Sequence, residues 1–191
     1  MEPDLAAPEA PLRIDWIEAE AFADARPGRV GLTVLPGKHG PSLRYPGRVH
    51  RRDLDVDLAS LRGSGVGRML LLVTDSELER WGDPHIVARA GERGIEVHRA
   101  PMPDGEPPAS RADLRAILDW LSEARAVGDV VVACMGGVGR SGTIVACALV
   151  EAGWTPDAAI AEVRRVRHPT AVETPAQERF VRSDEGSAGT A

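Results

Sequence analysis

The sequence predicts an α/β fold: a central, mostly parallel sheet flanked by helices. Three observations lead there. Short apolar or β-branched runs alternate along the chain with segments whose apolar residues recur every three to four positions, the rhythm of strand and covering helix. The run Asp129-Val130-Val131-Val132 lacks polar alternation, so it reads as a strand buried on both faces. A glycine-rich turn then separates it from the apolar residues 144–150, which are too Ala-rich for another strand and read as a buried helix.

The remaining elements follow in order. Leu12-Arg13-Ile14-Asp15-Trp16-Ile17 alternates imperfectly and reads as a first strand. Residues 30–35 read as a second, ended by Pro36-Gly37. A basic, loop-like stretch runs from there through Arg52. Asp53 opens a helix with Leu54, Leu58 and Leu61 on one face, ending at Gly63. Residues 67–73 are a buried strand. Thr74-Asp75 caps a short helix carrying Leu78 and Trp81, and another helix runs through Ile86 toward Gly94. Residues 95–99 form the next strand. Ser110 and Asp113 resemble a capping box before a helix with Leu114, Ile117, Leu118 and Leu121 on one face. Thr155-Pro156 starts a helix stopped by His168-Pro169, and a last short helix spans 174–181. One folded domain over 12–182 is expected, with disordered tails at 1–11 and 183–191, where there is little to bury.

Composition narrows the function. At 191 residues, with 43% hydrophobic and 27% charged residues, the chain has the makeup of a soluble globular domain with a sizeable core. A net charge of −6 argues against a nucleic-acid or anionic-membrane surface as the main partner. No apolar run approaches a membrane span and no signal peptide opens the chain, so a cytoplasmic, monomeric protein is expected. Lys38 is the only lysine among 23 basic residues, a bias attributed to a GC-rich bacterial source. Two cysteines make no disulfide framework. Cys147 reads as a small buried hydrophobe inside its helix. The histidines have no metal-ligand spacing, so neither a metal nor another cofactor is expected.

The chemistry concentrates at Cys134-Met135-Gly136-Gly137-Val138-Gly139-Arg140-Ser141. A cysteine ends a strand, a glycine loop follows, and a helix opens at Arg140. Inward-facing N–H groups of residues 135–140, with the positive end of the helix dipole, make an anion cradle of phosphate size. The planar fork of Arg140 suits two oxygens of one phosphoryl group. The same positive field favours thiolate over thiol at Cys134. Ser141 is expected to donate its hydroxyl to that sulfur, and Thr143 to brace the loop from within the helix. No lysine follows the glycines, so this is not a nucleotide-binding P-loop.

This segment resembles the signature P-loop of the cysteine-dependent protein phosphatases, and its Gly-Gly-x-Gly-Arg-Ser form is similar to the kinase-associated branch of the dual-specificity group. The resemblance spans residues 28–182. It implies a single-domain cysteine-phosphatase fold and hydrolysis of phosphomonoesters through a phosphocysteine intermediate. The implied substrate is a phosphorylated protein or a small phosphomonoester, with phosphotyrosine or dual specificity. In the family a histidine usually precedes the nucleophile; here the residue is Ala133. The alternative function is a phosphate-recognition module that binds without turnover.

Such a reaction needs a proton for the leaving oxygen. Asp104 lies in Pro101-Met102-Pro103-Asp104-Gly105-Glu106-Pro107-Pro108, a stiff loop after the 95–99 strand and therefore at the same end of the sheet as Cys134. This run resembles the family's general-acid loop, which places the acid at Asp104 ahead of Glu106. The segment 171–177 resembles one whose Gln positions the hydrolytic water in some relatives. That residue here is Gln177, and a polar helix residue is the other reading. Lys38, His39, Arg44 and Arg48 are candidates to touch an acidic substrate, or form a solvated loop.

Overall fold

The computed structural model describes residues 10–42 and 45–183. Arg44 and most of both expected tails lie outside them. At the N-terminal margin, Ala10 O accepts from Arg52 Nη2 at 3.1 Å, and Leu12 is buried.

The central sheet holds β1 (Ile14–Ile17), β2 (Val30–Val34), β5 (Arg68–Leu71), β6 (Glu96–Arg99) and β7 (Val130–Cys134), in the spatial order β1-β2-β7-β5-β6. β1 runs antiparallel to β2, and every other pairing is parallel. The basic stretch after Pro36 is more ordered than a loop: β3 (His39–Pro41) and β4 (Val49–Arg51) pair as a small antiparallel sheet. The odd-numbered and even-numbered positions of β3 alternate too briefly for that pairing to be legible in the sequence. A short 3-10 turn at Ala19–Phe22 is a second unanticipated element.

The helices are α1 (Leu54–Gly63), α2 (Asp75–Trp81), α3 (Ile86–Glu92), α4 (Arg111–Val127), α5 (Arg140–Glu151), α6 (Pro156–Val166) and α7 (Pro175–Arg182). Their starts are set by side-chain caps. Asp53, Thr74, Ser110, Thr155 and Thr174 each accept a hydrogen bond from a first-turn N–H, a contact worth about 1 kcal/mol.

Strand alternation divides the interior in two. Val130, Val132 and Cys134 face a core built with Leu114, Leu121 and the residues of α5 to α7. Val131 and Ala133 face the opposite core, built with Leu58, Leu61 and Leu78 of α1 and α2 and Ile86 of α3. Burial of one such Leu or Ile stabilises the fold by about 2 kcal/mol. β7 is thus covered on both faces, as its unbroken apolar run requires. Its carboxyl end pairs with β2 through Cys134 and Val34 and with β5 through Ala133 and Leu71. No helix among the described residues is long and apolar enough to cross a membrane.

Candidate active site

The loop 135–139 joins the end of β7 to the start of α5 and curls back over Cys134. Gly137 makes the curl possible. It sits at φ +67°, and a Cβ there would lie 2.4 Å from Thr33 O on neighbouring β2, so no larger residue fits. Its N–H donates to Cys134 Sγ at 3.2 Å. The N–H groups of Met135, Gly136, Val138, Gly139, Arg140 and Ser141 donate to no protein acceptor among the described residues. Cys134 itself is buried, 3% exposed.

Arg140, the first residue of α5, is 1% exposed and held by three groups. Its Nη1 donates to Glu77 Oε2 at 2.7 Å and to Met102 O at 2.9 Å. Its Nη2 donates to Glu77 Oε1 at 2.7 Å and lies 3.0 Å from Asp104 Oδ1. The outer edge of the guanidinium is therefore engaged, while Nε is buried without a partner among the described residues. Burial opposes the charge on Arg140. The Glu77 hydrogen bonds, then the field of the Cys134 sulfur and of the Glu77 and Asp104 carboxylates, outweigh it and raise the Arg140 pKa. For Glu77 burial again works against the charged form, yet hydrogen bonds from Arg140 and Thr74 hold its carboxyl below the ordinary glutamate value.

Glu77 is a site residue that the sequence reading missed. It occupies the third position of α2, where it completes a capping box with Thr74, and this local role is all that its spacing signals. Its second role, a bidentate grip on a guanidinium 63 positions away, needs the tertiary fold. Arg167 was missed for the same reason: its Nε and Nη2 donate to Gly137 O and Gly136 O.

The structure brings Asp104 over the site, with its side chain 75% exposed and its carboxylate on Arg140. The loop that carries it is tied down further along. Thr174 Oγ1 donates to Gly105 O at 2.8 Å, and Gln177 Nε2 reaches Glu106 O at 3.4 Å. Glu106 thus enters the site region through its backbone oxygen. Gln177 is fully buried beside the cradle, 3.3 Å or more from where a Cβ on Gly139 would stand. Its Oε1 accepts from Glu173 N and Thr174 N.

Thr143 Oγ1 donates to Gly139 O at 2.8 Å, bracing the loop from the helix. Ser141 differs from expectation. Its hydroxyl is buried and makes no hydrogen bond among the described residues, so the expected contact with the sulfur is absent and Gly137 N–H holds that place. Of the basic residues proposed to meet substrate, His39 is turned to Gly82 O, at 2.8 Å from Nε2. Cys147 is fully buried. A separate groove of roughly 580 Å³, lined in part by Arg62, Arg68, Glu96 and Asp129, lies at the amino ends of the strands and shares no residue with this site.

Known proteins resemble this chain in both sequence and fold. The family model Tc-R-P, described as a DSP-PTPase phosphatase of polymorphic toxin systems, matches residues 48–154. The chain is 26% identical over 168 residues to cyclin-dependent kinase inhibitor 3 of Rattus norvegicus, covering 87% of this chain and 75% of that one. With the Homo sapiens protein of the same name it shares 24% identity over 168 residues, at the same coverage. Among solved structures it resembles kinase associated phosphatase carrying a serine in place of its catalytic-site cysteine. That match has a TM-score of 0.78 at 24% identity and covers 91% of this chain and 93% of that one. The active form of Tk-PTP matches with a TM-score of 0.65 and 31% identity, covering 86% of this chain and 95% of that one.

Proposed function

This chain belongs to the DSP-PTPase phosphatase family of polymorphic toxin systems, and from that premise we propose that it hydrolyses phosphomonoesters through a phosphocysteine intermediate, acting on phosphotyrosine or dual-specificity substrates. The observation that carries the reading is the pairing of a sulfur that accepts a loop N–H with neighbouring loop N–H groups and a buried Arg140 Nε that have no protein partner among the described residues. Buried donors without acceptors are costly, and a tetrahedral anion supplies acceptors to all of them at once.

In the first step the Cys134 thiolate attacks phosphorus. The S–P bond forms as the bond to the leaving oxygen breaks, and Asp104 gives that oxygen its proton. The equatorial oxygens rest on the N–H groups of 135–140 and on Arg140, whose positive charge is retained by Glu77. The phosphoryl group takes the place on Nη2 that Asp104 holds in the free protein, which releases the carboxyl toward the leaving group. In the second step water attacks phosphorus and passes a proton to Asp104, the S–P bond breaks, and inorganic phosphate leaves. Gln177 lies beside the loop as the candidate to orient that water.

Hydrolysis of an aryl phosphate by wild type and by Cys134→Ser tests the reading. Turnover is expected in wild type and is lost on substitution, while phosphate still binds. Binding in both forms with turnover in neither would assign the chain to phosphate recognition without catalysis.

A further inference from the structure

The cradle functions only if its peptide planes face the right way. In a trans peptide the carbonyl and the following N–H point in opposite directions, so a carbonyl held on the outside of a loop aims the next N–H inside. Arg167, the residue that ends α6, holds two such carbonyls. Its Nη2 donates to Gly136 O at 2.8 Å and its Nε to Gly137 O at 3.1 Å. The first of these planes carries the Gly137 N–H, which donates to Cys134 Sγ at 3.2 Å. The second carries the Val138 N–H, one of the unpartnered donors of the cradle.

A single guanidinium therefore stands behind the N–H on the sulfur and the N–H beside it. A positive charge at the oxygen end of a peptide polarises it and strengthens hydrogen bonding at the nitrogen end. Arg167 is itself fixed, with Nη1 donating to Asp15 Oδ2 at 2.6 Å and both side chains only 10% and 12% exposed. Asp15 in turn receives Arg13 Nε at 2.7 Å. The residue directly before the sulfur offers no such help: Ala133 is fully buried in the apolar core on the far face of the sheet.

We propose that Arg167 is a positioning residue of the phosphatase reaction, acting through the Gly136–Gly137 peptide to stabilise the Cys134 thiolate and to keep the cradle's N–H groups turned inward. This rests on the phosphatase reading above, and its test separates the two. The rate of alkylation of Cys134 by iodoacetamide, followed by mass spectrometry of the modified peptide across pH 5 to 9, reports the thiolate directly and needs no turnover.

In wild type, Cys134 is expected to react at pH 6 faster than a free cysteine thiol. If it does not, the nucleophile assignment falls and takes this proposal with it. In Arg167→Met the alkylation curve is expected to move to higher pH, with a rate at pH 6 lower by about tenfold, the scale of one hydrogen bond to a charged group. Arg167→Lys keeps the charge but cannot bridge both carbonyls, so its curve is expected between the other two. Should Arg167→Met not fold, Arg167→Lys decides alone. A folded variant of either kind whose curve superimposes on wild type, with only its melting temperature lowered, would make Arg167 a structural residue and overturn the proposal.

Discussion

Glu77 carries a testable consequence for the single residue. Its carboxylate grips both Nη atoms of Arg140 and also accepts from Thr74 N at 2.8 Å, so it joins the site to the start of α2. Replacing one partner of a buried ion pair leaves the other uncompensated, so Glu77→Gln is expected to destabilise the protein by about 3 kcal/mol at neutral pH. The pH dependence has a definite sign. Glu77 titrates below its ordinary value of 4.5 in the folded protein, so its contribution is complete above that value and is lost as pH falls through the folded one. Urea unfolding at pH 7, 5, 4 and 3 should show the gap between wild type and Glu77→Gln narrowing only below about pH 4.5. An unchanging gap would mean that the ion pair is not its source. That Cys134, Arg140 and Asp104 lie together was legible in the sequence, because the first two share one loop at a fixed spacing and the third follows a strand that ends at the same side of the sheet. Glu77 and Arg167 were not, because each is an ordinary helix residue until the chain folds.

Among the elements, α7 acts as a strap on the acid loop. Thr174 serves twice: its hydroxyl accepts from Gln177 N at 3.1 Å to cap the helix, and donates to Gly105 O at 2.8 Å next to Asp104. Thr174→Val keeps the shape and removes both contacts. The expected cost is about 1 kcal/mol from the cap. On the proposed mechanism the catalytic effect should fall on the proton-transfer step, since the loop released is the one that carries Asp104. Turnover of an alkyl phosphate should drop severalfold more than that of a highly activated aryl phosphate, whose leaving oxygen needs little protonation. Asp104→Ala should show the same contrast in stronger form, and equal losses on both substrates in either variant would remove the loop from that role. Elements of this kind were read well where capping and periodicity are local. α1, α2, α4, α6 and α7 all begin beside the caps that their sequences offer. The β3–β4 pair escaped because three-residue strands rich in Gly, Pro and basic residues have no period of two to detect.

At the scale of the whole molecule, the parallel sheet separates chemistry from anchoring. Cys134 ends β7, while the amino ends of β2 and β7 are locked together at the opposite pole. There Arg29 pairs with Asp129, Nη2 to Oδ2 at 2.7 Å, and Arg125 reaches back from the end of α4. Arg125 is 3% exposed. Its Nε donates to Gly28 O at 2.9 Å, its Nη1 to Asp24 Oδ2 at 2.9 Å, and its guanidinium lies 3.8 Å from the centre of the Phe22 ring. Arg125→Met fills similar space but leaves a buried carbonyl without a donor and Asp24 with Arg26 as its remaining partner, at an expected cost of about 3 kcal/mol. Four residue steps along β7 separate Val130 from Cys134, about 13 Å of extended chain, and the cradle takes its supports from α2, α7 and the end of α6 rather than from this pole. Arg125→Met should therefore lower the melting temperature clearly while leaving kcat/KM for an aryl phosphate unchanged well below it. Glu77→Gln, of similar cost in stability, should lose activity in the same assay. A parallel fall in kcat/KM for both variants would mean that the two ends of the sheet are not independent, and that the cradle is held by global stability rather than by the side chains that touch it.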